Sequence, residues 1–210
     1  MFFKVGMQAI ITVDIGTTST RAILYDAGGR VRHMDQRANG PVYFEDGRVE
    51  QDALKLCQAL GYDLNKIGTL VSSFTQSMPP TGDSYIAEAA YDVWLNNWQT
   101  EVMFWVDSHK NTNLAVDGCT KVGTYTYSGQ TWVLWRNGSG INAFYAFVLS
   151  KNETSGTVHL WAMLEELVQL KEIPADSPLT QVPFGWEISD TAGHALKFSV
   201  SRLTLSVAGR

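Results

Sequence analysis

The amino-acid sequence predicts a mainly β protein, a jelly-roll β-sandwich with one helix packed on it. From residue 69 onward, short runs rich in β-branched and aromatic residues alternate with turn signals, which is typical of sandwiches and jelly rolls. Residues 160–168 carry leucines at helical spacing, which predicts the helix that interrupts these strands. The chain has 210 residues and 45% apolar residues, which suits one large all-β domain or two small ones.

Charge and hydropathy exclude several classes of partner. The net charge of −5 argues against a nucleic-acid partner, because phosphate backbones attract basic surfaces. No apolar window is long enough to span a bilayer, so no membrane partner is predicted. The first residues do not resemble a secretory signal, because Gly6 and Gln8 interrupt the apolar run and Asp14 ends it. Localisation, oligomeric state and a disulfide between Cys57 and Cys119 stay open, with two separate thiols favoured.

The first third of the chain differs in composition, because all seven Trp lie between Trp94 and Trp186. We therefore predict two parts, residues 1–66 and residues 67–210, of which the first is not an independent domain. Strands are predicted at 9–14, 22–25 and 30–37, and a short helix at 52–60. The hydroxyl-rich turn at 15–21 could offer backbone N–H groups to a phosphate, with Asp14 holding Mg²⁺ through water. The alternative is a hairpin that binds no nucleotide.

The motif DIGTTSTRAILYDAGG is similar to the first phosphate motif of the FGGY sugar kinases, and GRVEQD resembles the G-W-V-E-Q-D segment of that family, with Arg48 where Trp is usual. The resemblance covers about residues 8–56 and implies strands of the actin-like ATPase type. Such kinases are much longer and carry a second phosphate motif, an adenosine motif and a catalytic Asp, none of which we find here. A nucleotide-binding fragment of a sugar kinase is therefore one alternative function.

The second part predicts strand after strand, interrupted by the helix. The predicted strands are residues 70–76, 85–95, 99–107, 121–127, 131–136, 143–150, 180–189 and 196–207. Turns such as Pro79-Pro80 and Asn137-Gly138 separate them. The helix ends before Pro174, and its Glu165-Glu166 pair lies off the leucine stripe, which predicts a solvated face.

The hairpin YDVWLNNWQTEVMFW carries two carboxylates on one predicted sheet face. A two-residue turn at Asn96-Asn97 would place Asp92 directly opposite Glu101, with their Cβ atoms about 5 Å apart. Like charges at that distance repel, so one pKa should rise or a proton be shared. Alternation extends this face to Trp94 from Asp92, and to Met103 and Trp105 from Glu101. The arrangement has no evident role in folding.

A third carboxylate, Glu187, lies in FGWEI on the strand face opposite Phe184 and Trp186. Glycoside hydrolysis needs two carboxyls that flank the scissile bond, one to protonate the leaving oxygen and one to attack or to activate water. The acid needs a raised pKa, which apolar neighbours or a second negative charge can supply. Glu101 and Glu187, with Asp92 as helper, meet these demands if the strands curve around one cleft; a solvent-facing Glu187 is the alternative.

Residues 69–210 resemble the glycoside hydrolases of family 12 in the order and spacing of several motifs: SSFTQSMP, AEAAYDVWL, TEVMFWV, VGTYTYSGQTWVLW, FYAFV, LTQVPFGWEISDTAG and FSVSRLTLSV. The resemblance implies a retaining endo-β-1,4-glucanase acting on cellulose-type or xyloglucan-type polysaccharide without a metal or cofactor. It assigns the nucleophile to Glu101, the acid/base to Glu187 and the nucleophile's partner to Asp92. Family members are usually secreted.

Substrate-binding residues are predicted among the aromatic and sulfur side chains near these acids: Trp94, Met103, Trp105, Trp132 and Trp135. We expect the Glu101 and Glu187 carboxyls to lie about 5 to 5.5 Å apart, the retaining separation. The first strands of the family are replaced here by kinase-like sequence, which leaves a catalytically impaired glucan-binding module as another alternative. The preferred glucan stays open.

Overall fold

The structure is a computed structural model. It describes the backbone of residues 9–15, 19–26, 31–38, 42–43 and 49–50, and both backbone and side chains of residues 63–80, 85–110, 114 and 118–210. The helix predicted at 52–60, residues 16–18 of the predicted phosphate turn and Cys57 lie outside the described residues.

The described residues form fifteen strands and one α-helix. In chain order they are β1 (Ala9–Ile15), β2 (Ser19–Asp26), β3 (Val31–Ala38), β4 (Val42–Tyr43), β5 (Val49–Glu50), β6 (Ile67–Ser77), β7 (Ile86–Leu95), β8 (Thr100–His109), β9 (Thr120–Tyr127), β10 (Gln130–Asn137), β11 (Phe144–Leu149), β12 (Ser155–Val158), α1 (Leu160–Gln169), β13 (Leu179–Gln181), β14 (Phe184–Asp190) and β15 (Ser199–Gly209). No helix among the described residues is both long and apolar enough to cross a membrane.

Two sheets pack face to face, which confirms the predicted sandwich. The first sheet is antiparallel, in the order β12-β6-β15-β1-β2-β3. The second has the order β7-β8-β11-β10-β9, and both β13 and β14 pair with the free edge of β7. Strands β8 and β11 run parallel, and the other pairs of this sheet run antiparallel. Strands β4 and β5 form a separate small ribbon.

The inter-sheet core consists of inward side chains from alternate positions of both sheets. Its large, fully buried members include Phe74, Tyr91, Phe104, Trp132, Tyr145 and Phe147. The ring centroids of Phe74 in the first sheet and Phe184 in the second are 5.3 Å apart. The Tyr91 hydroxyl donates a hydrogen bond to Ser72 Oγ at 2.8 Å.

The predicted helix is confirmed as α1, whose leucine stripe joins the inter-sheet core. The two acids off the stripe have partners on neighbouring elements. Glu165 forms an ion pair with Arg210, and Glu166 accepts a hydrogen bond from the Tyr127 hydroxyl at 3.1 Å.

The N-terminal strands extend the first sheet, the one that lies opposite the β7–β8 hairpin. Strand β1 pairs with β15 through Ala9–Val207, Ile10–Ser206 and Ile11–Leu205, and β2 and β3 continue outward from β1. Strand β1 therefore covers the edge that β15 would otherwise present to solvent.

The predicted two-residue turn of the β7–β8 hairpin is wrong. A four-residue turn, residues 96–99, joins the strands, so Leu95 faces Thr100, Trp94 faces Glu101 and Asp92 faces Met103. The displacement is two residues, and the side-chain period of a strand is also two. Asp92 and Glu101 therefore remain on one face, as diagonal rather than direct neighbours.

Two further strand predictions differ from the structure. The predicted strand 180–189 is divided into β13 and β14 by Val182 and Pro183, because proline has no N–H for the ladder. Strand β12 was not predicted, because its sequence SGTV is short and has little apolar alternation. It pairs with β6 at the edge of the first sheet.

Candidate active site

The outer face of the second sheet carries an apolar cluster that is separate from the inter-sheet core. Its buried members are Ala90, Met103, Trp105, Leu114, Cys119 and Ala146, with Trp135, Phe144 and Val148 partly buried beside them. Alternation along β7 and β8 places Asp92, Trp94 and Glu101 on this same face. We call this surface the cleft face.

The three predicted carboxylates all belong to the cleft face. Asp92 and Glu101 are half-buried, and Trp94, which faces Glu101 across the strand pair, donates its indole N–H to Asp92 Oδ2 at 2.8 Å. Glu187 is exposed on β14, opposite the buried Glu88 of β7. Glu187 is therefore accessible to solvent, and its part in catalysis stays a prediction. The expected carboxyl separation of Glu101 and Glu187 stays a prediction.

The electrostatics of these acids are linked. Burial raises the pKa of Glu101 to about 7, and the negative charges of Asp92 and Glu187 act in the same direction. Burial also raises the pKa of Asp92, although the Trp94 N–H and the direct contact with Glu101 oppose the rise. Among the described residues, the buried Asp92 Oδ1 has no hydrogen-bond partner. The two acids therefore titrate as a pair, and the pKa of each is raised by burial.

The pair predicts a specific pH dependence. A nucleophilic Glu101 must be ionised, so activity should be lost as the pH falls through its raised pKa. Asp92→Asn removes a negative charge that raises this pKa, and the acidic limb of kcat/KM should therefore move to lower pH. Profiles of kcat/KM against pH for wild type and variant test this; an unmoved acidic limb would show that Asp92 does not tune Glu101.

The predicted sugar-binding residues do not all reach the cleft face. Met103 and Trp105 form its floor, almost fully buried, with the Trp105 indole N–H directed at Met103 Sδ at 3.3 Å. Trp94 and Trp135 are partly exposed on the same face. The prediction that Trp132 binds substrate is wrong, because its side chain is fully buried in the inter-sheet core. Trp132 and Trp135 are three residues apart on one strand, so they point to opposite faces.

Other cleft-face residues were missed at the level of sequence. Phe144 and Val148 of β11 lie beside Glu101 and Trp105, because β11 pairs with β8 although β9 and β10 separate them along the chain. No local pattern could have indicated this parallel pairing. Among the described residues, no group of three His, Cys, Asp or Glu side chains is arranged to hold a metal ion.

The outer face of this jelly-roll sandwich thus brings together a carboxylate pair, a third carboxylate and a floor formed by Met103 and Trp105. The sequence model of glycosyl hydrolase family 12 matches residues 45–208, and the chain belongs to this family. The match begins upstream of the boundary predicted at residue 66.

Individual relatives of two kinds are similar to parts of the chain. The probable xyloglucan-specific endo-beta-1,4-glucanase A of Aspergillus flavus is 26% identical over 133 residues, which are 61% of this chain and 55% of the relative. The chain thus spans about half the length of the curated relatives it matches in this family. A glycerol kinase of Aquifex aeolicus is 33% identical over 61 residues, 29% of this chain and 12% of the kinase.

Solved structures show the same fold at low identity. A metagenome-derived family 12 endoglucanase has a TM-score of 0.63 and 18% identity, covering 96% of this chain and 99% of its own. The xyloglucanase domain of NopAA from Sinorhizobium fredii, in complex with cellobiose, has a TM-score of 0.53 and 19% identity, covering 95% of this chain and 87% of its own.

Proposed function

We propose that this protein is a retaining endo-β-1,4-glucanase that hydrolyses cellulose-type or xyloglucan-type polysaccharide. The observation that carries the proposal is the coupled Asp92–Glu101 pair, whose pKa values are raised by burial and by the charge of Glu187. The pair lies on the cleft face, beside Met103 and Trp105, in a chain of family 12. The names of the Aspergillus relatives and the cellobiose bound to the NopAA domain support a β-glucan substrate.

The proposed reaction proceeds by double displacement. In the first step the Glu101 carboxylate attacks the anomeric carbon, the glycosidic bond breaks, and Glu187 donates a proton to the departing oxygen. In the second step the Glu187 carboxylate takes a proton from water, the water oxygen attacks the anomeric carbon, and Glu101 is released. Asp92 keeps Glu101 oriented through their direct contact and raises the pKa of Glu101. Trp94 holds Asp92 in position through the hydrogen bond from its indole N–H.

The test is hydrolysis of xyloglucan and of carboxymethyl cellulose by the purified wild-type chain, with the anomeric form of the first product followed by NMR. Release of the β-anomer first would support double displacement, and release of the α-anomer first would indicate inversion. Binding of both glucans without turnover would favour the glucan-binding module instead.

For the first third of the chain we propose a structural role, in which residues 1–66 complete the sandwich and residues 67–210 carry the site. The pairing of β1 with β15 supports this role. The match to a glycerol kinase supports it too, because the match covers only 12% of the kinase. Because the rest of a kinase cleft has no counterpart in the sequence, we expect no useful ATP binding. An ATP titration tests this, and micromolar affinity that Asp14→Ala abolishes would contradict it.

A further inference from the structure

We propose that Trp98, in the turn between β7 and β8, stacks on a pyranose ring of the bound glucan and extends the substrate path beyond the acids. The inference rests on the proposed function and adds a contact to the same site. Sequence analysis placed Trp98 in the hairpin but gave it no role.

The exposure of Trp98 is the first observation. Its side chain is 51% exposed, the largest value among the exposed large hydrophobic side chains of the described residues. By contrast, Trp105 and Trp132 are almost fully buried. An indole left half in water gains only part of the hydrophobic stabilisation that burial would provide, so folding alone does not favour Trp at this position. A solvent-accessible indole is, however, what a stacking contact with a sugar requires.

The backbone of the turn is the second observation. Asn96, Asn97 and Trp98 are consecutive residues with positive φ, at 55°, 55° and 71°. Asn tolerates this left-handed conformation, but it is rare for a bulky side chain such as Trp. Strained backbone of this kind persists where the surroundings hold it, and it is concentrated at functional sites.

Neighbouring elements hold this turn in place. The Asn96 N–H donates to the Pro178 carbonyl at 2.9 Å, and the Asn97 N–H donates to Thr180 Oγ1 at 3.1 Å. The Asn96 side-chain amide also donates to Thr100 Oγ1 at 2.9 Å. The indole of Trp98 is therefore presented from a fixed turn, which lowers the entropy lost when a ligand binds.

The position of Trp98 relative to the acids is the third observation. Its ring centroid lies 5.7 Å from that of Trp94, at an interplanar angle of 46°. Trp94 faces Glu101 across the hairpin and donates a hydrogen bond to Asp92. Trp98 thus continues the aromatic surface from the carboxylate pair to the turn end of the cleft. A pyranose ring of a chain held at Glu101 would meet this surface with its apolar C–H face.

Steady-state kinetics on xyloglucan and carboxymethyl cellulose test the proposal. Trp98→Ala should raise KM for the preferred polymer about five- to tenfold, as the loss of one aromatic contact commonly does, while kcat stays within about twofold. Trp98→Tyr should restore most of the affinity, because the aromatic face is kept. Leu170→Ala is the matched control, since Leu170 is also an exposed apolar residue, 39% exposed, but lies at the C-terminal end of α1.

Two further readouts separate a sugar contact from an indirect effect. If Trp98 acted only by packing Trp94 against Asp92, Trp98→Ala would shift the acidic limb of the pH profile; a direct contact leaves the limb in place. An unchanged KM in Trp98→Ala, with an active wild type, would overturn the Trp98 contact alone. A wild type that neither binds nor cleaves a β-1,4-glucan would overturn the proposed function and this contact with it.

Discussion

Glu101→Gln should lower kcat on a β-1,4-glucan by about a thousandfold or more while glucan binding persists. Gln keeps the size of the side chain but is a far weaker nucleophile than a carboxylate, so the glycosyl-enzyme cannot form. The affinity measured by calorimetry should change little, because the aromatic floor is untouched. This combination of lost turnover and retained binding distinguishes a nucleophile from a residue that only holds the substrate.

The control is Glu165→Gln on α1, which removes only an ion pair with Arg210. Exposed pairs of this kind contribute about 0 to 1 kcal/mol to stability, so neither activity nor fold should change appreciably. If the Glu101 and Glu165 variants cleave the glucan equally well, the assignment of the nucleophile is wrong.

The stability of the same Glu101→Gln variant gives a second readout. Because the folded-state pKa of Glu101 is raised from 4.5 to about 7, the native state binds more protons than the unfolded state between these values. The stability contribution of protonated Glu101 is therefore fully present below pH 4.5 and is lost as the pH rises to about 7. Gln does not ionise, so the variant should match wild type at low pH and melt a few degrees higher near pH 8. Thermal unfolding at both pH values measures this.

Glu187→Gln should lower kcat/KM on polysaccharide by orders of magnitude but spare substrates with a very acidic leaving group. A glucan alkoxide needs a proton as it departs, whereas a dinitrophenolate needs almost none. The second step should nevertheless slow, because Glu187 also serves as the base that activates water. The measurement compares glucan with a dinitrophenyl cello-oligoside, for which we expect a burst of phenolate followed by slow turnover. Equal losses on both substrates would contradict the role of Glu187 as general acid.

Strand periodicity explains why much of the candidate site could be predicted from the sequence. The common face of Asp92, Glu101 and Trp105 follows from alternation along two strands, which is a local property of the backbone. The prediction of a common face stayed correct although the turn has four residues and not two, because a shift by an even number of residues leaves each side chain on the same face. The same rule placed Glu187 opposite Trp186, and the leucine spacing identified α1. The error at Trp132 was one of interpretation, since its distance of three residues from Trp135 already assigns them to opposite faces.

The remaining features depend on contacts between residues that are distant in the chain. The turn at Asn96 and Asn97 is held by Pro178 and Thr180, so its length could not be read from the hairpin alone. Sequence predicted that the carboxylates interact, but the raised pKa of Glu101 also reflects burial by the folded sheet and the charge of Glu187. The pairing of β1 with β15 joins the two ends of the chain. Local periodicity in the sequence assigns each side chain to one face of its strand. The order of the strands, the burial of each side chain and its pKa are decided only when distant segments pack together. Burial and pKa depend on this packing because the packed groups exclude water from one another.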